Sequence, residues 1–184
     1  MRRVAREEIL DFVTYGERRD ELRAAAQAAK DARRVHVGDS LTFLFENAET
    51  VRYQVHEMMR AERIVREADI RHELDTYNEL LGGAGELGCT LLVEIEDAAA
   101  RAVLLERWLG LPDHVYVLLE NGERVRATVD ERQRDSGRLS SVQYLKFDTR
   151  GRVPIAVGCA HPDVTAETRL TPRQREALRA DLAG

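Results

Sequence analysis

Apolar positions recur at three- and four-residue steps along the first part of the chain. Ile9, Phe12 and Val13, then Leu22, Ala25, Ala26 and Ala29, predict helix over residues 6 to 33. Gly16 is expected to break it into two helices or one kinked helix. Residues 35 to 45 are rich in β-formers and predict strand, with Gly38-Asp39 as a turn or bulge. A second helix is expected from Ala48 to Val65 behind Asn47 as N-cap. A third runs from Ala68 to Leu81 and stops at Gly82-Gly83, with Asp69 as an alternative cap.

The pattern then changes. Residues 87 to 96 predict a strand, and Asp97 caps a helix through Leu109 that Gly110 and Pro112 end. Val115 to Glu120 and Arg124 to Val129 flank Asn121-Gly122, the signature of a type I′ hairpin. Residues 140 to 148 carry apolar groups on both faces and predict a central strand. Arg150-Gly151 turns the chain into an apolar run from Val153 to Cys159. Thr171 as N-cap and Pro172 at the first helical position open a final helix to Leu182. This order predicts an α+β fold, with a helical N-terminal half packed on a mainly antiparallel sheet formed largely by the C-terminal half. Residues 1–184 read as a single domain, with residues 1–34 either packed on it or extended as a helical arm.

Composition narrows the function classes. Apolar residues make up 43% of 184, enough for a real core. No apolar run approaches the roughly 20 residues that span a bilayer, so no membrane role is expected. Glu7 and Glu8 follow the arginines Arg2, Arg3 and Arg6 at once, unlike a signal peptide, which points to a cytoplasmic protein. The net charge of −5 lacks the basic excess of a nucleic-acid binder. Only Lys30 and Lys146 among the 28 bases are lysine; the arginine bias fits ion-pair networks or a GC-rich genome. Cys89 and Cys159 sit in apolar runs and read as buried thiols, with a redox or metal role as the alternative.

The chemistry-bearing residues lie on the second and third helices. Val51, Val55, Met58 and Val65 share one helical face, and Tyr53, Glu57, Arg60 and Ile64 share another, nearly opposite. A helix apolar on two faces is packed on both, so Glu57 and Arg60, three apart, are expected to pair while partly buried. On the next helix Ile70, Leu74, Tyr77 and Leu81 form the core stripe, and His72, Asp75 and Glu79 fall on the far side. A short connection makes the two helices a hairpin, bringing Glu57, Glu62, His72 and Asp75 toward one another. This face reads as a surface laced with ion pairs, as a polar ligand or partner site, or as a metal site. Neither the Glu-x-x-His pair of di-iron bundles nor His-Glu-x-x-His occurs.

Other motifs are weaker. Gly82-Gly83-Ala84-Gly85 follows a helix and reads as a connector, not a phosphate loop. Ser140-Ser141 has no nucleophile-elbow context, and His161-Pro162 reads as turn chemistry. His36 and His114 open strands without evident partners. The stretch from Arg132 to Arg138 is a polar loop, or a basic patch for an anionic partner.

Three segments carry a family resemblance: Leu41 to Asn47, Tyr53 to Ile64, and His72 to Leu80, with Ser140 to Tyr144 as a fourth. Together they resemble an uncharacterised bacterial family, a domain of unknown function, over nearly the whole chain. Its motif positions are Glu57, Arg60, Glu62, His72, Glu73, Tyr77 and Asn78, without known roles. The family pattern has Gln where His56 stands, which speaks against His56 as an essential ligand. The resemblance implies genes encoded beside a rubrerythrin-like di-iron protein and an iron–sulfur oxidoreductase subunit, hence a cytoplasmic role in redox or oxidative-stress chemistry.

Two functions follow as expectations. The first is an accessory or binding protein, with Tyr53, Glu57, Arg60, Tyr77 and Asn78 contacting a ligand or a redox partner. The second apolar stripe of the Ala48–Val65 helix needs a cover: that partner, the chain's own sheet, or a second copy in a homodimer. The alternative is a metal-dependent enzyme, with iron or another divalent metal on Glu57, Glu62, His72 and Asp75, and Tyr77 or Arg60 orienting a substrate. A third reading is a small-molecule sensor in which Arg60 grips an anion.

Overall fold

The computed structural model describes residues 2–130 and 137–184. The basic stretch from Arg132 lies, as far as Ser136, outside the described residues. Among those described, five α-helices and two antiparallel sheets realise the α+β class. No helix among them is long and apolar enough to cross a membrane.

The N-terminal segment makes one 3-10 turn at Arg6–Glu8 and then enters α1 (Phe12–Asp31). The break expected at Gly16 falls earlier, because Asp11 caps α1 through the backbone N–H groups of Val13 and Thr14. Gly16 lies inside the uninterrupted helix. β1 (Arg34–Val37) and β2 (Leu41–Phe45) form a hairpin. α2 (Ala48–Glu62) starts in a capping box between Asn47 and Thr50, and it ends where Arg63 turns left-handed at φ 55°. α3 (Glu67–Asn78) follows; Arg66 holds its N-cap position, so Asp69 does not cap it. β3 (Glu86–Val93), α4 (Ala98–Arg107, capped by Asp97), β4 (Val115–Leu118), β5 (Arg124–Arg126) and β6 (Thr128–Val129) come next. β7 (Val142–Asp148), β8 (Ala156–His161), β9 (Val164–Arg169) and α5 (Pro172–Ala183) complete the chain.

The strands divide into two sheets of order β1-β2-β3-β7-β6 and β5-β4-β8-β9, where the sequence suggested one. The chain crosses between them after Arg126, since β5 pairs with β4 and β6 with β7. Asn121-Gly122 does not make the expected type I′ turn. Gly122 N–H donates to Leu119 and only the glycine has positive φ, at 83°, so a type I turn followed by a glycine bulge joins the strands. The I′ geometry occurs instead at Arg150-Gly151, with φ of 53° and 75° and Arg152 N–H donating to Thr149.

Phe43, Phe45, Leu91 and Phe147 of the first sheet share a buried cluster with Val117 and Val157 of the second. Each such side chain contributes about 1.5–3 kcal/mol by leaving water. Cys89 and Cys159 are free thiols in this cluster, and burial pushes both up. A smaller cluster joins Val4 and Ile9 to Val51, Val55 and Met59 of α2 and Ile70 and Leu74 of α3. α3 stands beside the outer face of the first sheet, where Tyr77 borders the same cleft as Tyr144 and Lys146. Its C-terminal end comes down on Gly88, where a Cβ would sit 1.8 Å from the Leu80 carbonyl oxygen. The register then places Thr90 beside Tyr144, and Gly88, Lys146 and Thr128 in one row, on that outer face. β7 is central as expected, but only Gln143, Leu145 and Phe147 are buried; Tyr144 on the other face is 41% exposed.

Candidate functional site

Glu57 sits where α1 crosses α2. Arg19 grips its carboxylate with two hydrogen bonds of 2.8 and 2.9 Å, and the Tyr15 hydroxyl donates to it at 2.7 Å. Arg60 adds longer bonds of 3.3 and 3.4 Å from the exposed side. The expected Glu57–Arg60 pair is thus present, but it is the weaker half of the arrangement. Hydrogen bonding from Arg19 holds Glu57 down to about 2, against the cost of burial. A carboxylate so held is a poor proton acceptor at neutral pH and has its oxygens occupied. The Tyr15 ring stacks on His56, with centroids 4.5 Å apart. His56 Nε2 accepts the Leu10 N–H at 2.8 Å. Burial, with Arg52 nearby, lowers His56 to about 4, so it is a neutral anchor.

Lys30 lies 5.1 Å from the centre of the Tyr53 ring, so α1 covers Tyr53 and Glu57 alike. The cover for the second face of α2 is therefore the chain's own first helix. Burial lowers Lys30, partly offset by Glu46. Glu46 is itself buried, taking the hydroxyl of Thr50 and, at 2.6 Å, that of Thr90.

Asn78, read from sequence as a contact residue, is 4% exposed and turned inward. Its Oδ1 accepts the Val4 N–H at 2.9 Å and its Nδ2 donates to the Val4 carbonyl at 3.0 Å, fastening the N-terminal segment to α3. Glu62, His72 and Asp75 lie exposed along α2 and α3. Among the described residues no group of three His, Cys, Asp or Glu side chains comes together to hold a metal ion. The four expected ligands are not gathered at one point, because Glu57 faces α1 while His72 faces solvent.

A cleft of about 560 Å³ opens elsewhere, between α3 and the β7–β6 edge of the outer sheet face. Tyr77 and Leu80 form the helix wall, Tyr144, Lys146 and Thr128 the sheet wall, and Arg3 stands at the rim. The volume falls within the range of small-molecule sites, roughly 300–1,000 Å³. Burial raises the Tyr77 phenol, offset by a hydrogen bond with Gln54. Arg3 also borders a smaller hollow with Arg6, Arg71 and Asp75. Of the expected ligand, partner and metal residues, Tyr77 lines the main cleft, and so does Glu79 at the end of α3.

The sequence reading assigned no site role to Tyr15, Arg19, Tyr144, Lys146 or Arg3, and it touched His56 only to set it aside as an essential ligand. Tyr15 and Arg19 are four apart and carry a readable helical signal. Tyr144 and Lys146 alternate with buried Gln143 and Leu145, which marks a second strand face. Nothing local ties Arg3 to the cleft; the Val4–Asn78 contact, across 74 positions, places it.

No curated protein matches the chain. A crystal structure of a novel protein of unknown function from Burkholderia pseudomallei is similar, at 32% identity and a TM-score of 0.90, covering 98% of this chain and 100% of that one. The model of a family described as protein of unknown function (DUF3501) matches residues 3–182. The chain belongs to this DUF3501 family.

Proposed function

We propose that the protein is a binding protein, accessory rather than catalytic, whose site is the cleft between α3 and the β7–β6 edge. The observation that carries this reading is the contrast between two places. At the α1–α2 crossing the acid–base groups are consumed by one another: Glu57 by Arg19 and Tyr15, His56 by the Leu10 amide. In the cleft, two tyrosines, a lysine and an arginine border a space of about 560 Å³ that the described residues leave unfilled. The lining mixes charged and hydroxyl-bearing side chains with the apolar Leu80 and Val129, a composition that suits recognition.

A redox or oxidative-stress setting, with a rubrerythrin-like protein or an iron–sulfur oxidoreductase subunit as partner, rests on the family resemblance alone. The Glu57, Glu62, His72 and Asp75 metal reading has no geometric support, and the cleft is the better site. Chemical-shift mapping of small aromatic fragments on the labelled protein tests the proposal; it expects the responding amides at the cleft walls.

A further inference from the structure

Resting on that reading, we infer that the cleft selects a planar organic anion, an aromatic carboxylate or a close chemical equivalent, held through Arg3 and Lys146. Both side chains border the cleft. Among the described residues neither guanidinium nor ammonium has an ion-pair or hydrogen-bond partner. Elsewhere Arg6, Arg19, Arg33 and Arg52 each grip a carboxylate, in a chain with an excess of acid. Glu79 and Asp130 also line the cleft, and each already has an interaction of its own.

Lys146 is half-buried on the outer sheet face, paired in register with Gly88 on one side and Thr128 on the other. An anion in the cleft gives this ammonium a charge-assisted hydrogen bond. Arg3 faces the same space from the rim and supplies a fork that suits a planar oxyanion. The rings of Tyr77 and Tyr144, with Leu80 and Val129, supply the apolar surface of the lining. Tyrosine faces stack on planar groups, so the favoured ligand has a planar body and an anionic group for Arg3 and Lys146.

The test is a titration with an isosteric pair, 1-naphthoate and 1-naphthamide, following cleft amides by NMR. Naphthoate is expected to bind about tenfold more tightly, the worth of one charge-assisted contact. In Lys146→Gln or Arg3→Gln, each checked for unchanged circular dichroism and melting, the preference falls to about threefold or less. Equal binding of the pair to wild type overturns the inference, as does a preference both variants retain. In either case neutral fragments still map to the cleft and the binding reading stands. If neither naphthoate nor any neutral fragment perturbs the cleft, that reading falls with it.

Discussion

Tyr15 stacks on His56 with the two rings 5° from parallel, and this pair locks α1 to α2. Burial keeps His56 neutral. It lowers the imidazole from 6.5 to about 4, so between those values the unfolded chain takes up a proton that the folded chain refuses. Stability is complete above pH 6.5 and falls by about 3 kcal/mol as pH drops toward 4. His56→Gln keeps an acceptor for the Leu10 N–H but does not titrate. Denaturant unfolding from pH 7 to 4 is expected to lose most of its slope in that variant, with stability at pH 7 within about 1 kcal/mol of wild type.

Glu57 is structural in this account. Its carboxyl is lowered from 4.5 to about 2, so it stabilises the fold above pH 4.5, and that contribution disappears as pH falls through 2. Glu57→Gln leaves Arg19 facing a neutral amide and is expected to cost about 1–3 kcal/mol at pH 7, read from the unfolding midpoint. Fragment affinity at the cleft is expected to be unchanged. A Glu57→Gln protein of normal stability that no longer binds would return the site to the α1–α2 crossing.

Asn78 is the mooring of the N-terminal segment, and through it of Arg3. Asn78→Ala leaves both backbone groups of Val4 without their partners and is expected to cost about 2 kcal/mol. The loss is local: hydrogen exchange at Val4 accelerates while the first sheet stays protected. An unchanged Val4 exchange rate would show that the segment is held by Ile9 and its apolar neighbours instead.

These residues also show what the sequence could disclose. The elements were legible because caps and periodicity are local: Asn47, Asp97 and Thr171 each start the helix expected of them. The split into two sheets was not, because it depends on pairing Thr128 with Lys146 while Arg126 pairs with Tyr116. Turn type failed at Asn121-Gly122, where an added bulge residue satisfies the strand twist that a I′ turn would otherwise supply. Glu57 stood out beside the second apolar stripe of its helix and Asn78 as a position of the family resemblance; in the fold Glu57 is half-buried and Asn78 buried. Their partners, Arg19 and the Val4 backbone, lie far away in sequence, so the same signal that marked them could not say that they serve the fold. The cleft is the converse case, assembled from Arg3, Tyr77 and Tyr144, which share no sequence pattern.

The most direct test of the central claim is a chemical-shift map of aromatic fragments on the uniformly labelled full chain. The account predicts that the amides of Thr76 to Leu80, Thr128 to Asp130 and Tyr144 to Lys146 move together and saturate with one affinity. Shifts confined to the Tyr15, Arg19 and Glu57 crossing, or no saturable shift at the cleft, would contradict it.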